Sequence, residues 1–205
     1  MIDYFYKGGP VMYPLLFCSL LALTIVIERF IFWIRENRNS DRRMLNEFMT
    51  LVENDDLSQA KDLTRGSGDF LIRVMVCGLV HRDFSLRDAL QMGADEEIAR
   101  MRRHLPVLDT MITLAPLLGI LGTVVGIIYS FTVLGEVGVE NPRLVTAGIG
   151  QALITTAFGL MIAILSLIPF NYFQSKVDKA VQEIEKYGTT LEIIVEKQKK
   201  GALPQ

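Results

Sequence analysis

Three long stretches without charged residues constrain this chain more than any other feature of its sequence. The first covers Gly8–Ile27 and continues as apolar sequence, past the pair Glu28–Arg29, to Trp33. The second, Thr110–Gly135, has 26 uncharged residues, and the third, Leu144–Ser175, has 32. A helix of about 20 residues crosses the ~30 Å apolar core of a bilayer. We therefore predict an all-α integral membrane protein with three transmembrane helices and an extended helical bundle in the cytoplasm.

Composition and charge exclude several function classes. Hydrophobic residues make up 50% of the 205 residues and the mean hydropathy is +0.32, so the distribution of apolar residues decides the class. The net charge of −2 gives no basic signature of nucleic-acid binding. Cys18 and Cys77 are too few for a disulfide framework. No nucleophile–base pair or cluster of metal ligands stands out, so we expect no enzyme activity, metal or cofactor.

Lysine and arginine set the predicted orientation, because cytoplasmic loops carry an excess of them. Only Lys7 precedes the first stretch, and only Arg143 separates the second from the third. Basic residues are denser after the first and third stretches: Arg29, Arg35, Arg38, Arg42, Arg43, Lys176, Lys179 and Lys186. The N-terminus should therefore lie outside and the C-terminus in the cytoplasm. A cleaved signal peptide is the alternative for the first stretch, but no small-residue cleavage site follows it.

This orientation divides the chain into seven segments. We predict an external N-terminus (1–10), a first transmembrane helix (11–34), a cytoplasmic helical region (35–105), a second transmembrane helix (106–135), a short external loop (136–143), a third transmembrane helix (144–172), and a cytoplasmic C-terminal helix and tail (173–205).

The cytoplasmic region should contain four helices. Asp55 or Asp56 can cap a short second helix, and a third should cover Phe70–Val80. A fourth should start near Ser85 and run into the second transmembrane helix, with a kink at Pro106. The two histidines, His81 and His104, are interpreted as surface residues.

A heptad pattern follows the third stretch, with spacings that alternate between four and three residues. Its members are Val177, Val181, Ile184, Gly188, Leu191 and Val195. The third transmembrane helix should therefore continue into the cytoplasm and pack there on other helices. Those helices belong either to neighbouring subunits or to the same chain.

The second and third stretches each carry small residues on one helical face. In the second stretch these are Ala115, Gly119, Gly122 and Gly126, and in the third they are Gly148, Ala152, Thr155, Gly159 and Ala163. Small residues let helix backbones approach closely, so helix packing explains the glycines. Thr123 and Thr156 flank these stripes, and their hydroxyls either bond to their own helix or face a polar path or a partner helix. The amide of Gln151 needs a hydrogen-bond partner, or else faces water near the outer interface.

Titratable residues are absent from both stripes. No Asp, Glu, Lys, Arg or His lies between Asp109 and Glu136, or between Arg143 and Lys176. A proton relay needs a titratable group. If the protein conducts protons, a partner must supply a carboxylate, or Glu28 must be reached. The simpler interpretation of Glu28–Arg29, at the inner boundary, is an ion pair or snorkelling side chains.

Two sequence segments resemble a known family. Residues 115–126, APLLGILGTVVG, resemble the second-helix signature of the MotA/TolQ/ExbB proton-channel family, and residues 148–160, GIGQALITTAFGL, resemble its third-helix signature. Glu28–Arg29 matches an acidic–basic pair at the end of the first helix of that family. Three spans and a short chain resemble the ExbB/TolQ branch more than the four-span MotA branch.

The resemblance implies a homo-oligomer, a pentamer, around a central pore in the bacterial inner membrane. A single-span partner resembling ExbD or TolR would sit in the pore and carry the missing aspartate. Proton motive force would then drive work passed to a TonB-like protein in outer-membrane uptake, or to a TolA-like protein in envelope maintenance. The alternatives are a scaffold that conducts no ions and a sodium-coupled motor.

The resemblance also implies roles for individual residues. Thr123 and Thr156 match two pore threonines of the family, and we assign Thr155 and Gln151 to the same ion path. Gln151 stands where many members have a glutamate, which suits a hydrogen-bonding role and leaves sodium coupling open. The apolar faces opposite the stripes would contact membrane lipid or a neighbouring subunit.

Overall fold

The computed structural model of this chain describes residues 2–137 and 142–201, and these residues fold into helices joined by short connections. In chain order the helices are α1 (Ile2–Lys7), α2 (Met12–Asn39), α3 (Arg42–Glu53), α4 (Leu57–Leu63), α5 (Phe70–Val80), α6 (Arg82–Arg102), α7 (Leu105–Val137) and α8 (Pro142–Gly201). Residues 138–141 of the predicted external loop, and the last four residues of the predicted tail, lie outside the described residues.

Three of these helices, α2, α7 and α8, contain stretches long and apolar enough to cross a membrane. This confirms the three predicted spans by length and composition. The chain divides into two compact units. The first, Met1–Arg29 with His104–Phe173, contains most of the apolar parts of these helices and is called the membrane unit. The second, Phe30–Arg103 with Gln174–Gln205, is called the polar unit.

Helix α2 uses one face to pack inside the membrane unit. Cys18, Ala22 and Ile25 form an apolar cluster with Leu108 and Met111 of α7. A second cluster joins Val11, Met12 and Leu15 to Ala115. The opposite face of α2 is exposed and bulky: Leu16, Phe17, Leu20, Leu23 and Ile27. Such a face suits contact with lipid, which is the contact expected if α2 lies at the periphery of α7 and α8.

Aspartates set the starts of the first three helices in the polar unit. Their carboxylates accept hydrogen bonds from backbone N–H groups that have no partner within the first turn of a helix. Asp41 caps α3, Asp56 caps α4 and Asp69 caps α5. The predicted short helix capped by Asp56 and the predicted helix Phe70–Val80 are therefore confirmed.

The predicted continuous helix from Ser85 into the second span is wrong. Helix α6 ends at Arg102 and α7 begins at Leu105. His104 adopts a left-handed backbone conformation with φ of 66°, which no α-helix accommodates. The break therefore replaces the expected kink at Pro106, which lies in the first turn of α7, where a missing N–H costs no helical hydrogen bond.

Helix α8 continues without interruption beyond its apolar part, as predicted. Most of the heptad residues are buried within the polar unit of the same chain, among them Val177, Ile184, Leu191 and Val195. Ile184 and Gly188 line a groove together with Leu90 of α6. The same-chain interpretation of the heptad pattern is therefore confirmed.

A network of ion pairs crosses the polar unit from α2 to α5 and α6. The Arg73 guanidinium lies 2.7 Å from Glu97 Oε1 and 3.3 Å from Glu36 Oε1. Arg100 contacts the other oxygen of Glu36 at 2.7 Å. Both carboxylate side chains are nearly buried, Glu36 at 8% and Glu97 at 11% exposure. The hydrogen bonds from Arg73 to Glu97 raise the pKa of the guanidinium above its ordinary value.

Candidate ion-path site on α7 and α8

The two stripes of small residues face each other inside one chain. A Cβ atom built on Gly159 would lie 2.5 Å from the Ala115 carbonyl oxygen and 3.1 Å from the Gly119 Cα. A Cβ atom built on Gly126 would lie 2.8 Å from the Gly148 carbonyl oxygen. Side chains of L residues do not fit at these distances, so the close approach of α7 and α8 accounts for these glycines.

Thr155 lies inside this contact. Its side chain has no exposed surface, and its Oγ1 donates to the carbonyl of Ala152 at 2.8 Å. Gly122 makes room for it, because a Cβ there would lie 2.5 Å from the Thr155 Cβ. Within a single chain Thr155 therefore packs between α7 and α8. Its place on an ion path stays a prediction.

Thr156 joins the two helices through a hydrogen bond. Its Oγ1 donates to the carbonyl oxygen of Gly119 on α7 at 3.0 Å, and the residue is partly buried. A Cβ on Gly119 would lie 3.0 Å from the Thr156 Cα, so the glycine permits the approach. The hydroxyl of Thr156 therefore contacts a partner helix. A partner helix and a polar path were the two possibilities for a threonine hydroxyl that does not bond to its own helix.

Thr123 behaves differently. Its Oγ1 donates to the carbonyl of Ile120 in its own helix at 2.6 Å, and the residue is partly exposed. This matches the back-bonding expected of many membrane threonines. The two threonines that flank the stripes therefore play different structural parts.

Gln151 contacts the chain segment before α2. A Cβ built on Gly9 would lie 2.7 Å from the Gln151 Cδ, so the amide packs directly against the Gly9 backbone. Gly9 itself has a φ of 71°, which glycine adopts without strain. This contact was not predicted from the sequence, although the run Gly8–Gly9–Pro10 is typical of a tight turn.

Comparison with known proteins places these helices in a family. Residues 71–186 match the MotA/TolQ/ExbB proton channel family. The chain belongs to this family. The matched region includes both stripes, whereas Glu28–Arg29 of α2 precedes it. The match thus covers all of α6 and α7, α5 except its first residue, and most of α8.

Individual relatives of this MotA/TolQ/ExbB protein carry related names. The ExbB-like biopolymer transport protein 1 of Synechocystis sp. is 40% identical over 201 residues, which cover 95% of this chain and 78% of the relative. The ExbB-like protein 3 of the same organism is 33% identical over 199 residues, 91% of each chain. The Tol-Pal system protein TolQ of Haemophilus influenzae is 29% identical over 116 residues, 57% of this chain and 51% of the relative.

The charge pair of this family member forms a compact ion pair. Arg29 Nε donates to Glu28 Oε2 at 2.6 Å, and the arginine side chain is 2% exposed. The ring Nδ1 of His104, which was predicted to be a surface residue, lies 3.3 Å from the same carboxylate oxygen. The ion-pair interpretation of Glu28–Arg29 thus fits the structure, and His104 extends it to the start of α7.

Ser130 is a polar residue of the site that was not predicted from the sequence. Ser130 is buried at 3% exposure, and its Oγ donates to the Gly126 carbonyl at 3.0 Å. It lies against Gly148 of α8. Ser130 continues the small-residue stripe by one turn beyond Gly126, and the four-residue spacing could have identified it.

Proposed function

We propose that this chain is the channel-forming subunit of an inner-membrane motor that converts proton motive force into mechanical work. Membership of a proton channel family, on both helices of the site, is the observation that carries this proposal. The chemistry of the chain agrees with it. The stripes of α7 and α8 carry hydroxyls but no titratable side chain, so a proton could pass only with a group from elsewhere.

We propose that a single-span partner, similar to ExbD or TolR, supplies that group as a membrane carboxylate. Several copies of this chain, arranged as a pentamer, would surround the partner with α7 and α8 facing it. Thr123 and Thr156 would lie on the path, because both are partly exposed within a single chain. Gln151 would take a supporting part at the turn before α2, where it contacts Gly9. The N-terminus would lie outside and the C-terminus in the cytoplasm.

The names of the relatives favour a delivery route. The two relatives that this chain covers most fully are named ExbB-like biopolymer transport proteins, whereas the TolQ relative is matched over half its length. We therefore propose delivery to a TonB-like protein in uptake across the outer membrane. Delivery to a TolA-like protein in envelope maintenance is the next candidate.

Reconstitution with the partner tests the proposal. The full chain would be co-purified with a single-span candidate partner that carries a membrane aspartate, and the complex would be placed in liposomes under an imposed membrane potential while the internal pH is recorded. We expect proton uptake that needs both proteins and that is lost when the membrane aspartate of the partner becomes asparagine. Equal flux with the asparagine variant, or the same potential-driven flux of sodium without protons, would overturn proton coupling.

A structural scaffold without ion conduction is the second candidate. The observation that favours it is the close contact between the small-residue stripes of α7 and α8. This contact explains why glycines stand there, and no pore is needed for that explanation. A scaffold gives no proton flux with the partner, and valine in place of either flanking threonine leaves its assembly unchanged, because no ion passes them. A proton channel gives flux that falls when a threonine on its path becomes valine, so the flux of the unaltered protein and of the two valine variants separates the two candidates.

A further inference from the structure

The break between α6 and α7 is tied to α2 through the side chain of His104. Its ring Nδ1 lies 3.3 Å from Glu28 Oε2 of α2. Its backbone carbonyl accepts a hydrogen bond from the N–H of Leu108 at 3.2 Å, in the first turn of α7. All three residues belong to the membrane unit. One residue therefore contacts α2 with its side chain and begins α7 with its backbone.

The backbone conformation of His104 makes this side-chain contact important. A φ of 66° is unfavourable for an L residue, although Asn, Asp and His adopt it more often than other residue types do. Such a conformation persists where the surrounding contacts hold it. The strength of the contact with Glu28 should therefore affect how firmly the first turn of α7 forms.

Histidine is the member of this cluster whose charge varies near neutral pH. Arg29 Nε also donates to Glu28 Oε2, at 2.6 Å, and the guanidinium of arginine keeps its charge in proteins. An imidazole changes its charge between about pH 5 and 8. The Glu28 and His104 side chains are 42% and 41% exposed, so protons from water reach the ring. The ring can donate from Nδ1 in both states, and protonation makes that bond charge-assisted.

Other charged residues close to His104 in the chain, all of them exposed, are Arg102, Arg103 and Asp109. The two arginines oppose a positive charge on the ring and the aspartate favours one, but water and salt weaken the effect of exposed charges. The part of α8 in the membrane unit carries no titratable side chain after Arg143. Glu28, within hydrogen-bond distance, therefore responds most directly to the charge of His104.

We propose that the contact between His104 and Glu28 is a pH-sensitive switch that anchors the start of α7 to α2. The protonated imidazole is attracted by the carboxylate and holds the contact closed, whereas the neutral ring holds it more weakly. Acidification at this end of the membrane unit would therefore make the first turn of α7 firmer. Because α7 carries one of the two small-residue stripes, the switch acts on a helix of the candidate site. The proposal goes beyond the motor function and does not depend on it.

Hydrogen exchange at the Leu108 amide reports on this switch, because that N–H bonds to the His104 carbonyl. The full chain in detergent would be exchanged at pH 6 and at pH 8, with each rate divided by the intrinsic rate of an unstructured peptide at the same pH. We expect protection of Leu108 to be about two- to fivefold greater at pH 6, as for a partly exposed ion pair. Equal protection at the two pH values would overturn the proposal.

Three variants assign the pH dependence to the two residues. His104→Asn removes the titrating ring but suits the left-handed conformation, and it leaves the pair of Glu28 with Arg29 in place. Glu28→Gln keeps an acceptor oxygen but removes the charge. Both variants should lose the difference between pH 6 and pH 8, whereas His81→Asn, at the other histidine of the chain, should keep it. A difference that persists in His104→Asn or Glu28→Gln, or that disappears in His81→Asn, would overturn the switch.

Discussion

The hydroxyl of Thr156 on α8 donates a hydrogen bond to the backbone carbonyl of Gly119 on α7, at 3.0 Å. In a helix this carbonyl also accepts from the N–H four residues later, which belongs to Thr123. The Thr156 hydroxyl and the Thr123 backbone N–H therefore share one acceptor, the Gly119 carbonyl oxygen. A change at Thr156 acts on the contact between helices, whereas a change at Thr123 acts on a single helix.

Thr156→Val should weaken the α7–α8 contact modestly and reduce motor activity. Loss of an interhelical hydrogen bond in a membrane costs about 0.6 kcal/mol on average and up to about 1.7. The Gly119 oxygen keeps its own helical bond, so no buried acceptor is orphaned. Thermal unfolding in detergent and proton flux with the partner measure the two effects. Thr156→Ser keeps the hydroxyl and should restore both; failure of serine to rescue would argue against the hydrogen bond.

Thr123→Val should separate stability from conduction. Among the described residues its hydroxyl bonds to Ile120 of its own helix, so the free energy of unfolding should change by less than about 0.5 kcal/mol. If Thr123 lines the ion path, proton flux should fall by at least about tenfold, equivalent to ~1.4 kcal/mol in the barrier. Full flux at normal protein level in both valine variants would contradict the place of the two threonines on the ion path, whereas no flux in the unaltered protein would favour the scaffold.

Gly159→Ala should destabilise the membrane unit by about 1–3 kcal/mol, because the added methyl group meets a backbone oxygen that cannot move aside. The measurement is the thermal midpoint of the purified chain in detergent. Gly150→Ala on the same helix is the matched control, since nothing lies within 4 Å of its added Cβ. That control should be neutral or stabilising by up to about 1 kcal/mol, from helix propensity. Equal midpoints for the two variants would contradict the close approach of α7 and α8.

Much of the fold could be predicted because local signals determine it. The uncharged stretches predict three spans. The aspartates at 55 and 56 narrow the start of α4 to two positions, and the apolar run after Asp69 predicts the whole of α5. No local sequence signal marks the break between α6 and α7. The break depends on the left-handed backbone conformation of His104, and because His104 is not a glycine, the surrounding packing has to select that conformation.

The site was predictable in residue type but not in detail. Helical periodicity identified both stripes and their flanking threonines. Which hydroxyl crosses between helices depends on the register of α7 against α8, and that register follows from many contacts at once. The same limit hid the contact of Gln151 with Gly9, because the two residues are far apart in sequence.

Gly9→Ala should destabilise the turn before α2 for two reasons. A left-handed conformation costs an L residue about 1–2 kcal/mol, and the methyl group would collide with the Gln151 amide. Gln151→Ala removes the collision but not the strain, so the double variant should recover part of the loss, with a coupling of about 0.5–3 kcal/mol. The thermal midpoints of the unaltered protein, the two single variants and the double variant give this double-mutant cycle. Strict additivity would show that the two residues do not touch.

Arg73→Ala should destabilise the polar unit by about 3–5 kcal/mol, because it leaves two nearly buried carboxylates, Glu36 and Glu97, with one arginine between them. Arg65→Ala is the matched control. Arg65 pairs with Asp62 at 3.8 Å, and both side chains are largely exposed, so its loss should cost less than about 1 kcal/mol. Chemical denaturation measures the free energy of unfolding of both variants. Added salt should reduce the loss caused by Arg65→Ala and leave the loss caused by Arg73→Ala unchanged. A similar small loss in the two variants would mean that water reaches Glu36 and Glu97 and that the network contributes little to stability.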